Sequence, residues 1–429
     1  MAHPSPLTHL HTAAEAMTIA YGPASPTAST PAGSTDETAS SASSAPSTPA
    51  ASPTTPTVST VSPIDVVATY GELMLEYSAL RRHAVLVDMP HRAVIELKGA
   101  DRIGFLNRMV TQELKGFEAG HTRRAFWLNR KGRIDSDMLL IELGDRLLIE
   151  VDVFSVSRTI AGLSAYVITE DCVFRDLTQS SHRFSLHGPT VAALLDALDP
   201  ALAAPKFTPG QARVGTLATH QVIVYREDWC GVPGYELIVP AAAAEAIYQL
   251  LVQDGHDPHH GAGALRISGQ GTLGSRVRLR PAGWMALNIA RLESGTPLYH
   301  IDFGSDSLPA ESGVLDSRVS FTKGCYLGQE IVARMHARGH PKQKLMAFSL
   351  DATGFDQPLP SAGSSIKDST GIVIGTVTSG TYSPMRGSQR IGLGMVKYQQ
   401  ATDNTAVMVD AEGMPCAGRL HNSMTTLSH

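Results

Sequence analysis

The chain of 429 residues has a formal net charge of −5 and an apolar fraction of 43 %, values typical of a soluble protein of two or three domains. No apolar run reaches the roughly 18 residues that a membrane span needs, and the start lacks a basic segment followed by an apolar one. We therefore expect neither membrane attachment nor secretion, and the acidic balance argues against stable nucleic-acid binding.

Cysteine usage points to a reducing compartment. The chain has four cysteines, far apart and without any CxxC pair: Cys172, Cys230, Cys325 and Cys416. This spacing predicts neither a disulfide framework nor a zinc site. We expect a cytoplasmic protein without a bound metal.

The first part of the chain is poor in large apolar side chains. Residues 1–63 form a Ser/Thr/Pro/Ala-rich tract, which cannot bury enough apolar surface to offset its chain entropy. The composition predicts a disordered arm over 1–63.

Residues 64–340 show a mixed α and β pattern. Arg92–Gly99 alternates like a strand, and a helical pattern follows behind Asp101, a candidate N-cap. The same order of strand, helix and further strands returns later in the chain. The pattern predicts an α+β region of two similar halves, about 64–180 and 181–340.

The composition changes again at residue 341. Short apolar runs divided by Gly, Pro, Ser and Asp fill residues 341–429, which is typical of a small antiparallel β-barrel. The predicted fold class is therefore α+β with two similar halves and a C-terminal barrel.

The first candidate site lies in "REDWCGVPGYE", from Arg226 to Glu236. Gly231 and Gly234 indicate a tight loop between two strands. A carboxylate accepts hydrogen bonds from adjacent N–H donors and a guanidinium pairs with carboxylates, so the two charged residues are candidates to face one pocket. A hairpin with a surface Arg/Glu pair is the alternative.

The second candidate is "NRKGRIDSDM". Asp135 and Asp137 alternate along an extended chain, which places them on one face of a strand with Ser136 on the other. One of these acids is a candidate for proton transfer, and ordinary acids at a strand start are the alternative.

The third candidate is "KGCYLGQE", from Lys323 to Glu330. The pattern becomes helical from Gln329, so Cys325 lies just before a helix N-terminus with Lys323 close by. Such a position favours a reactive thiolate. The alternative is an inert cysteine in a tight turn.

Taken together, these segments resemble the folate-binding proteins related to the glycine-cleavage T-protein, and more narrowly the YgfZ-type branch linked to iron–sulfur cluster assembly. Arg226, Gly231, Gly234 and Glu236 match the spacing of the superfamily's RTGYTGExGFE loop. "KGCYLGQE", "RLESGTPLYHIDF" and "LPAE" are similar to segments of the YgfZ-type branch. The resemblance covers the chain from about residue 64.

The chain departs from the family pattern at two places. Counting from Gly132, Ser136 and Asp137 stand where the aminomethyltransferases carry a paired acid, so only Asp137 carries over. His300 stands where the branch usually has glycine, so we expect a different turn there.

The resemblance implies a tetrahydrofolate, or a one-carbon derivative, in a central cavity between the two halves. It assigns Glu236 to the pterin donors, Arg226 to electrostatic support and Asp137 to the folate nitrogens that carry one-carbon units. Tyr235 and Gln329 are implied as further binding residues.

The function implied is a folate-binding accessory protein that supports iron–sulfur cluster assembly or repair, and through iron–sulfur enzymes also tRNA modification. Its implied partners are iron–sulfur proteins or assembly factors, and its implied working residues are Cys325 and Lys323. The alternative is a folate-dependent aminomethyltransferase or related one-carbon transferase, in which these residues and Asp137 would be candidates for catalysis.

Overall fold

A computed structural model describes residues 4–22, 62–202, 207–253, 264–265 and 277–424. The helices are α1 Thr8–Ala13, α2 Leu73–Arg82, α3 Arg102–Met109, α4 Val156–Ser164, α5 Val191–Leu198, α6 Ala244–Gln253, α7 Trp284–Glu293, α8 Leu315–Arg318 and α9 Gln329–Arg338. The strands are β1 Met17–Tyr21, β2 Ile64–Thr69, β3 Ala84–Asp88, β4 Arg92–Lys98, β5 His121–Leu128, β6 Ile134–Glu142, β7 Leu147–Asp152, β8 Val173–Asp176, β9 Ser181–His187, β10 Ala212–Leu217, β11 His220–Arg226, β12 Gly234–Pro240, β13 Ala264–Leu265, β14 Val277–Pro281, β15 Gln343–Thr353, β16 Ser365–Lys367, β17 Val373–Ser383, β18 Gln389–Lys397, β19 Ala406–Ala411 and β20 Met414–His421.

Two sheets form the central region. The first has the order β5-β6-β7-β4-β8 and is antiparallel throughout. The second has the order β10-β11-β12-β9-β3-β14-β13. The order β10-β11-β12-β9 repeats β5-β6-β7-β4, so the prediction of two similar α+β halves is confirmed.

The boundary between the halves is less simple than the prediction of 64–180 and 181–340. Strand β3 comes from the first predicted half, yet it lies in the second sheet between β9 and β14. All five of its residues are buried, so the strand needs a neighbour on each edge and a layer on each face. The first predicted half therefore contributes β3 to the sheet of the second half.

Helices cover the outer face of each sheet, and the inner faces pack together. Side chains of α5 and α6 share one apolar cluster with the second sheet, and side chains of α3 and α4 share another with the first. Between the sheets, Ile141 and Leu148 pack with Ile223 and Ile238. Because strand side chains alternate between faces, each strand's inner-facing residues are fixed by these contacts.

The prediction of a disordered arm over 1–63 is wrong for residues 4–22. Leu7, just before helix α1, is buried in the cluster of the second sheet, and β1 pairs antiparallel with β2, with Tyr21 opposite Ile64. The composition signal came from the Ser/Thr/Pro-rich stretch that follows, and residues 23–61 lie outside the described residues.

The C-terminal domain is a closed barrel of order β15-β18-β17-β16-β19-β20, as predicted. Its attachment is polar and buried, because Arg291 of α7 lies 2.6 Å from Asp302 and Asp302 accepts from the hydroxyls of Thr378 and Ser379 on the barrel. No helix among the described residues is long and apolar enough to span a membrane.

Candidate active site

A cavity of about 360 Å³ lies where the inner faces of the two sheets turn from apolar to polar. Its wall includes Asp137 of the first sheet and Glu236 of the second, together with residues 295–299 of the segment that follows α7. The predicted central cavity between the halves is therefore present, and two of the predicted site residues line it.

Glu236 is the buried carboxylate of this cavity, with 3 % of its surface exposed. The pairing of β12 with β9 places it opposite Ser185, whose hydroxyl donates to Oε1 at 2.7 Å. The indole N–H of Trp229 donates to the same oxygen at 2.9 Å, and Arg183 donates to Oε2 at 3.1 Å. The donors stabilise a charge that burial alone would exclude.

Arg183 holds this arrangement together. It is 1 % exposed on β9, and it donates to Glu150, to the hydroxyl of Tyr225 at 2.8 Å and to Glu236. Arg92 lies 2.8 Å from the other oxygen of Glu150. Two guanidinium groups thus balance two carboxylates, which lets a charged network persist inside the protein.

A histidine extends the network behind Glu236. His187 Nε2 lies 2.6 Å from the hydroxyl of Ser185, while its Nδ1 is buried and has no partner among the described residues. Since Ser185 donates its single proton to Glu236, His187 must donate through Nε2, which leaves Nδ1 unprotonated. Burial lowers the pKa of His187 to about 3, so the ring is neutral at pH 7.

Asp137 lies in an ion-pair network on the first sheet. Its carboxylate is 3.2 Å from Nε of Arg318 and 3.9 Å from Nη1 of Arg124, and Arg124 makes a two-pronged pair with Glu227. A carboxylate held by two guanidinium groups is an acceptor for ligand N–H groups. Asp137 is thus placed at the cavity wall with its charge compensated.

The neighbours of Asp137 are arranged as strand alternation predicts. Ser136 faces away and is fully buried, and its hydroxyl has no partner among the described residues. Asp135 accepts from the side-chain amide of Asn129 at 3.2 Å. Position 136, which the resemblance places at the first acid of the family's pair, is therefore occupied by a buried, uncharged hydroxyl.

Arg226 and Tyr235 point away from the cavity. They pair across β11 and β12, and because Glu236 faces inward, its neighbour Tyr235 and the paired Arg226 face outward. Arg226 donates to Asp228 at 2.9 and 3.0 Å and to the carbonyl of Phe207 at 2.6 Å. Neither residue lines the cavity, so Arg226 shapes the loop that carries Trp229.

Lys323 is held by main-chain carbonyls. It is 6 % exposed, and its ammonium donates to the carbonyls of Asn107, Val110 and Gln112 at 2.7, 2.7 and 2.8 Å. These carbonyls lie at and after the end of α3, where the last turn has no partners of its own. Burial lowers the pKa of Lys323 to about 8.

Cys325 is exposed and is a free thiol. Gln329 begins α9, which confirms the predicted helix, and Glu330 lies in its first turn. Lys323, Cys325 and Gln329 are not among the residues that line the cavity. The structure therefore separates the Lys323–Glu330 segment from the cavity that holds Glu236 and Asp137.

His300 adopts a left-handed backbone conformation. Its φ is +68°, in the left-handed region that side chains other than glycine enter rarely. Its N–H donates to the carbonyl of Phe303 at 2.7 Å, and its ring nitrogen Nε2 lies 3.1 Å from the hydroxyl of Ser155. The expectation that this turn differs from that of the YgfZ-type branch stays a prediction.

Sequence reasoning missed residues that build the cavity. Arg183 lies in the mostly polar strand sequence SHRFSLH, so the local pattern gave no signal that its charge is buried. Trp229, inside the loop that was singled out, and Arg318, on the short helix α8, gave no separate signal. Their roles depend on contacts between segments that are distant in the chain.

Comparisons with known proteins match both the central region and the C-terminal barrel to the same family. Residues 68–267 match the family model "GCVT N-terminal domain" and residues 343–424 match "Glycine cleavage T-protein C-terminal barrel domain". The chain is 27 % identical to an aminomethyltransferase of Halothermothrix orenii, covering 82 % of this chain and 90 % of that protein. It is 26 % identical to the mitochondrial aminomethyltransferase of Dictyostelium discoideum, covering 80 % and 82 %.

The fold is also similar to a solved structure. The crystal structure of the glycine cleavage system aminomethyltransferase T from Bartonella henselae superposes with a TM-score of 0.74 at 21 % identity, covering 98 % of this chain and 97 % of that one. This likeness extends through both the central region and the barrel.

Proposed function

The chain carries both domains of the glycine cleavage T-protein superfamily, and we propose that its central cavity binds a tetrahydrofolate and serves folate-dependent one-carbon transfer of the aminomethyl type. The observation that carries the proposal is the buried carboxylate of Glu236 at the cavity wall. A pterin ring presents an amino group and an adjacent ring N–H on one edge, and a carboxylate is the side chain that accepts from both.

The hydrogen bonds of Glu236 leave room for such a ligand. A carboxylate has about four lone-pair sites, and three are used by Ser185, Trp229 and Arg183. One ligand N–H therefore fits directly at Oε2. A second would replace the indole of Trp229, which itself lies in the cavity wall.

Asp137 is the second polar feature that supports the proposal. Its carboxylate lies in the wall of the same cavity, where it can orient an amine or a folate nitrogen by accepting a hydrogen bond. Arg318 and Arg124 lie 3.2 and 3.9 Å from it. The similar proteins from Halothermothrix orenii and Dictyostelium discoideum are named aminomethyltransferases, which supports aminomethyl transfer as the reaction.

A second candidate is favoured by two specific observations. Ser136 stands where the aminomethyltransferases carry the first acid of the pair, and Cys325 is exposed outside the cavity. Both fit a folate-binding accessory protein that supports iron–sulfur enzymes in the cytoplasm through contacts of Cys325 with a partner protein. The names of the relatives favour the transferase over this role.

Folate binding is tested by isothermal titration of tetrahydrofolate into the full chain under anaerobic conditions. We expect saturable binding at one site. Absence of binding by the unsubstituted protein would remove both candidate functions.

The two candidates are separated by turnover. Purified protein is assayed for methylenetetrahydrofolate formed from an aminomethyl group on a lipoyl carrier, with Asp137→Asn and Cys325→Ser as paired variants. The transferase requires turnover that falls in Asp137→Asn and persists in Cys325→Ser. Folate binding without turnover, together with loss of iron–sulfur enzyme activity in cells that carry only Cys325→Ser, would establish the accessory role instead.

A further inference from the structure

A second cavity, of about 350 Å³, lies on the C-terminal barrel. It shares no lining residue with the cavity between the two sheets. Its wall includes Arg390 of β18 and Cys416 of β20, two strands that both pair with β15. Cys416 is a free thiol and is partly buried. The cavity therefore brings a cysteine sulfur and a guanidinium group to one place that a small molecule can reach.

Arg390 carries a buried charge that no carboxylate compensates. It is 1 % exposed, and it donates to the carbonyls of Pro358 and Ala352 at 2.6 and 3.4 Å and to Sγ of Cys416 at 3.3 Å. Among the described residues, its Nε has no hydrogen-bond partner and its guanidinium has no carboxylate partner. Asp351 lines the same cavity, but it is exposed and its charge is screened by solvent. A buried cation in this state favours a negative charge beside it.

The sulfur of Cys416 can supply this negative charge, because a thiolate accepts a hydrogen bond from a guanidinium group. As a thiol, Cys416 can also donate to the carbonyl of Met414 at 3.7 Å. The other cysteines have different surroundings. Burial raises the pKa of both Cys172 and Cys230, and Cys325 is exposed. Cys416 therefore combines an accessible sulfur with a cationic hydrogen-bond donor.

We propose that Cys416 is a modification site that forms a mixed disulfide with a small anionic thiol of the glutathione class. The Cys416 thiolate attacks one sulfur of the oxidised, disulfide form of that molecule. A new S–S bond forms, and the old S–S bond breaks with its electron pair leaving on the second small thiol, which takes up a proton. Cys416 is oxidised in this step, and the released half of the small disulfide is reduced.

The charge of Arg390 decides which modifier fits the site. Once its sulfur is part of a disulfide, Cys416 has no negative charge, and the guanidinium again lacks an anion. A carboxylate of the modifier can then accept from the guanidinium in place of the thiolate. A neutral modifier offers no such anion, and a cationic one adds repulsion. The site is therefore selective for acidic disulfides.

The test compares three disulfides on the full-length protein: oxidised glutathione, which is anionic, hydroxyethyl disulfide, which is neutral, and cystamine, which is cationic. Peptide mapping by mass spectrometry gives the rate of mixed-disulfide formation at Cys416. Each rate is divided by the rate of N-acetylcysteine amide with the same disulfide, which removes differences in intrinsic reactivity. We expect the resulting ratio to be about tenfold higher for oxidised glutathione than for cystamine, with hydroxyethyl disulfide between them. The net charge of −5 attracts cystamine to the protein as a whole, so the general field cannot produce this order.

Variants of Arg390 test the source of this selectivity. Arg390→Gln should reduce the preference to less than about twofold, while Arg390→Lys keeps the charge and should retain most of it. Arg419→Gln changes an exposed arginine on the same strand as Cys416, and it should leave the preference unchanged. Equal ratios for the three disulfides, no modification at Cys416, or a preference that survives in Arg390→Gln would overturn the inference. If Arg390→Gln does not fold, the three disulfides on the unsubstituted protein decide alone.

Discussion

The cavity wall and the Lys323–Glu330 segment are each organised by a buried charged side chain, but the two charges have different partners. Glu236 is held by side-chain donors from β9 and from the loop before β12, and one of them, Trp229, lies in the cavity wall. Lys323 is held by three main-chain carbonyls near the end of α3. The carboxylate of Glu236 lies in the wall of a cavity large enough for a ligand. The ammonium of Lys323 donates all three of its hydrogen bonds to main-chain carbonyls.

The sequence analysis names Lys323 and Cys325 together as candidate working residues, but the structure gives their side chains different surroundings. Lys323 fixes the segment to the first half of the protein, and the segment in turn presents Cys325 to solvent. The Lys323–Glu330 motif therefore has a structural residue and an exposed one.

The largest expected effect is on ligand affinity at the cavity. Glu236→Gln replaces a charged acceptor with an amide, and charge-assisted hydrogen bonds contribute about 1.5–3 kcal/mol. We expect tetrahydrofolate binding to weaken by roughly 10- to 100-fold, measured by isothermal titration. Glu245→Gln, on the surface of α6, is the matched control, and equal affinity in Glu236→Gln and this control would contradict the assignment.

The next effect is on stability at the Lys323 segment. Lys323→Met leaves three carbonyls near the end of α3 without their donor, and unsatisfied buried groups destabilise by about 1–3 kcal/mol each before relaxation. We expect the free energy of unfolding in urea to fall by about 2–3 kcal/mol in total. Lys131→Met, an exposed lysine, should change it by less than about 0.5 kcal/mol. Equal stability of the two variants would show that the carbonyls find other partners.

Lowering the pH should reduce the free energy of unfolding because of His187. The pKa of His187 is about 3 in the folded protein, against 6.5 as its ordinary value. Between these values the unfolded chain binds a proton that the folded one does not, so stability falls as the pH falls, by up to about 1.4 kcal/mol per pH unit.

Urea unfolding at pH 6.5, 5.5 and 4.5 measures this effect. His187→Gln should lose less stability than the unsubstituted protein over this series, because it has no imidazole to protonate. The same pH dependence in both proteins would show that other groups dominate the acid response.

The smallest expected effect is that of Cys325. Cys325→Ser removes an exposed thiol, and surface substitutions usually change stability by less than about 0.5 kcal/mol. Tetrahydrofolate affinity should also stay unchanged. In the native protein a thiol reagent should label Cys325 rapidly and leave the buried Cys230 protected, and a protected Cys325 would contradict its exposure.

Periodicity was sufficient to predict much of the fold. The strand at Arg92–Lys98, the helix that begins at Gln329 and the C-terminal barrel all follow from local patterns that packing did not override. The contribution of β3 to the second sheet was not predictable in this way, because strand order depends on pairing between distant segments.

The candidate site was predicted in part. Glu236 and Asp137 both lie in the cavity wall, yet Arg226 lies on the opposite face of its strand because its partner across the sheet is Tyr235. The register between β11 and β12 cannot be predicted from the sequence of either strand alone. Arg183 was missed for a related reason, since its carboxylate partners come from two other strands.

Strand β3, which the first half contributes to the second sheet, also has a consequence for the order in which the protein is made. Val85 pairs with His187 on one side and Arg280 on the other, so β3 is complete only when β14 has left the ribosome. At about 5–20 residues per second, the strand waits roughly 10–40 seconds for that neighbour. During synthesis, one apolar strand of the first half therefore keeps an open edge until β14 has been made, and an open strand edge is a site at which a nascent chain can pair with another chain.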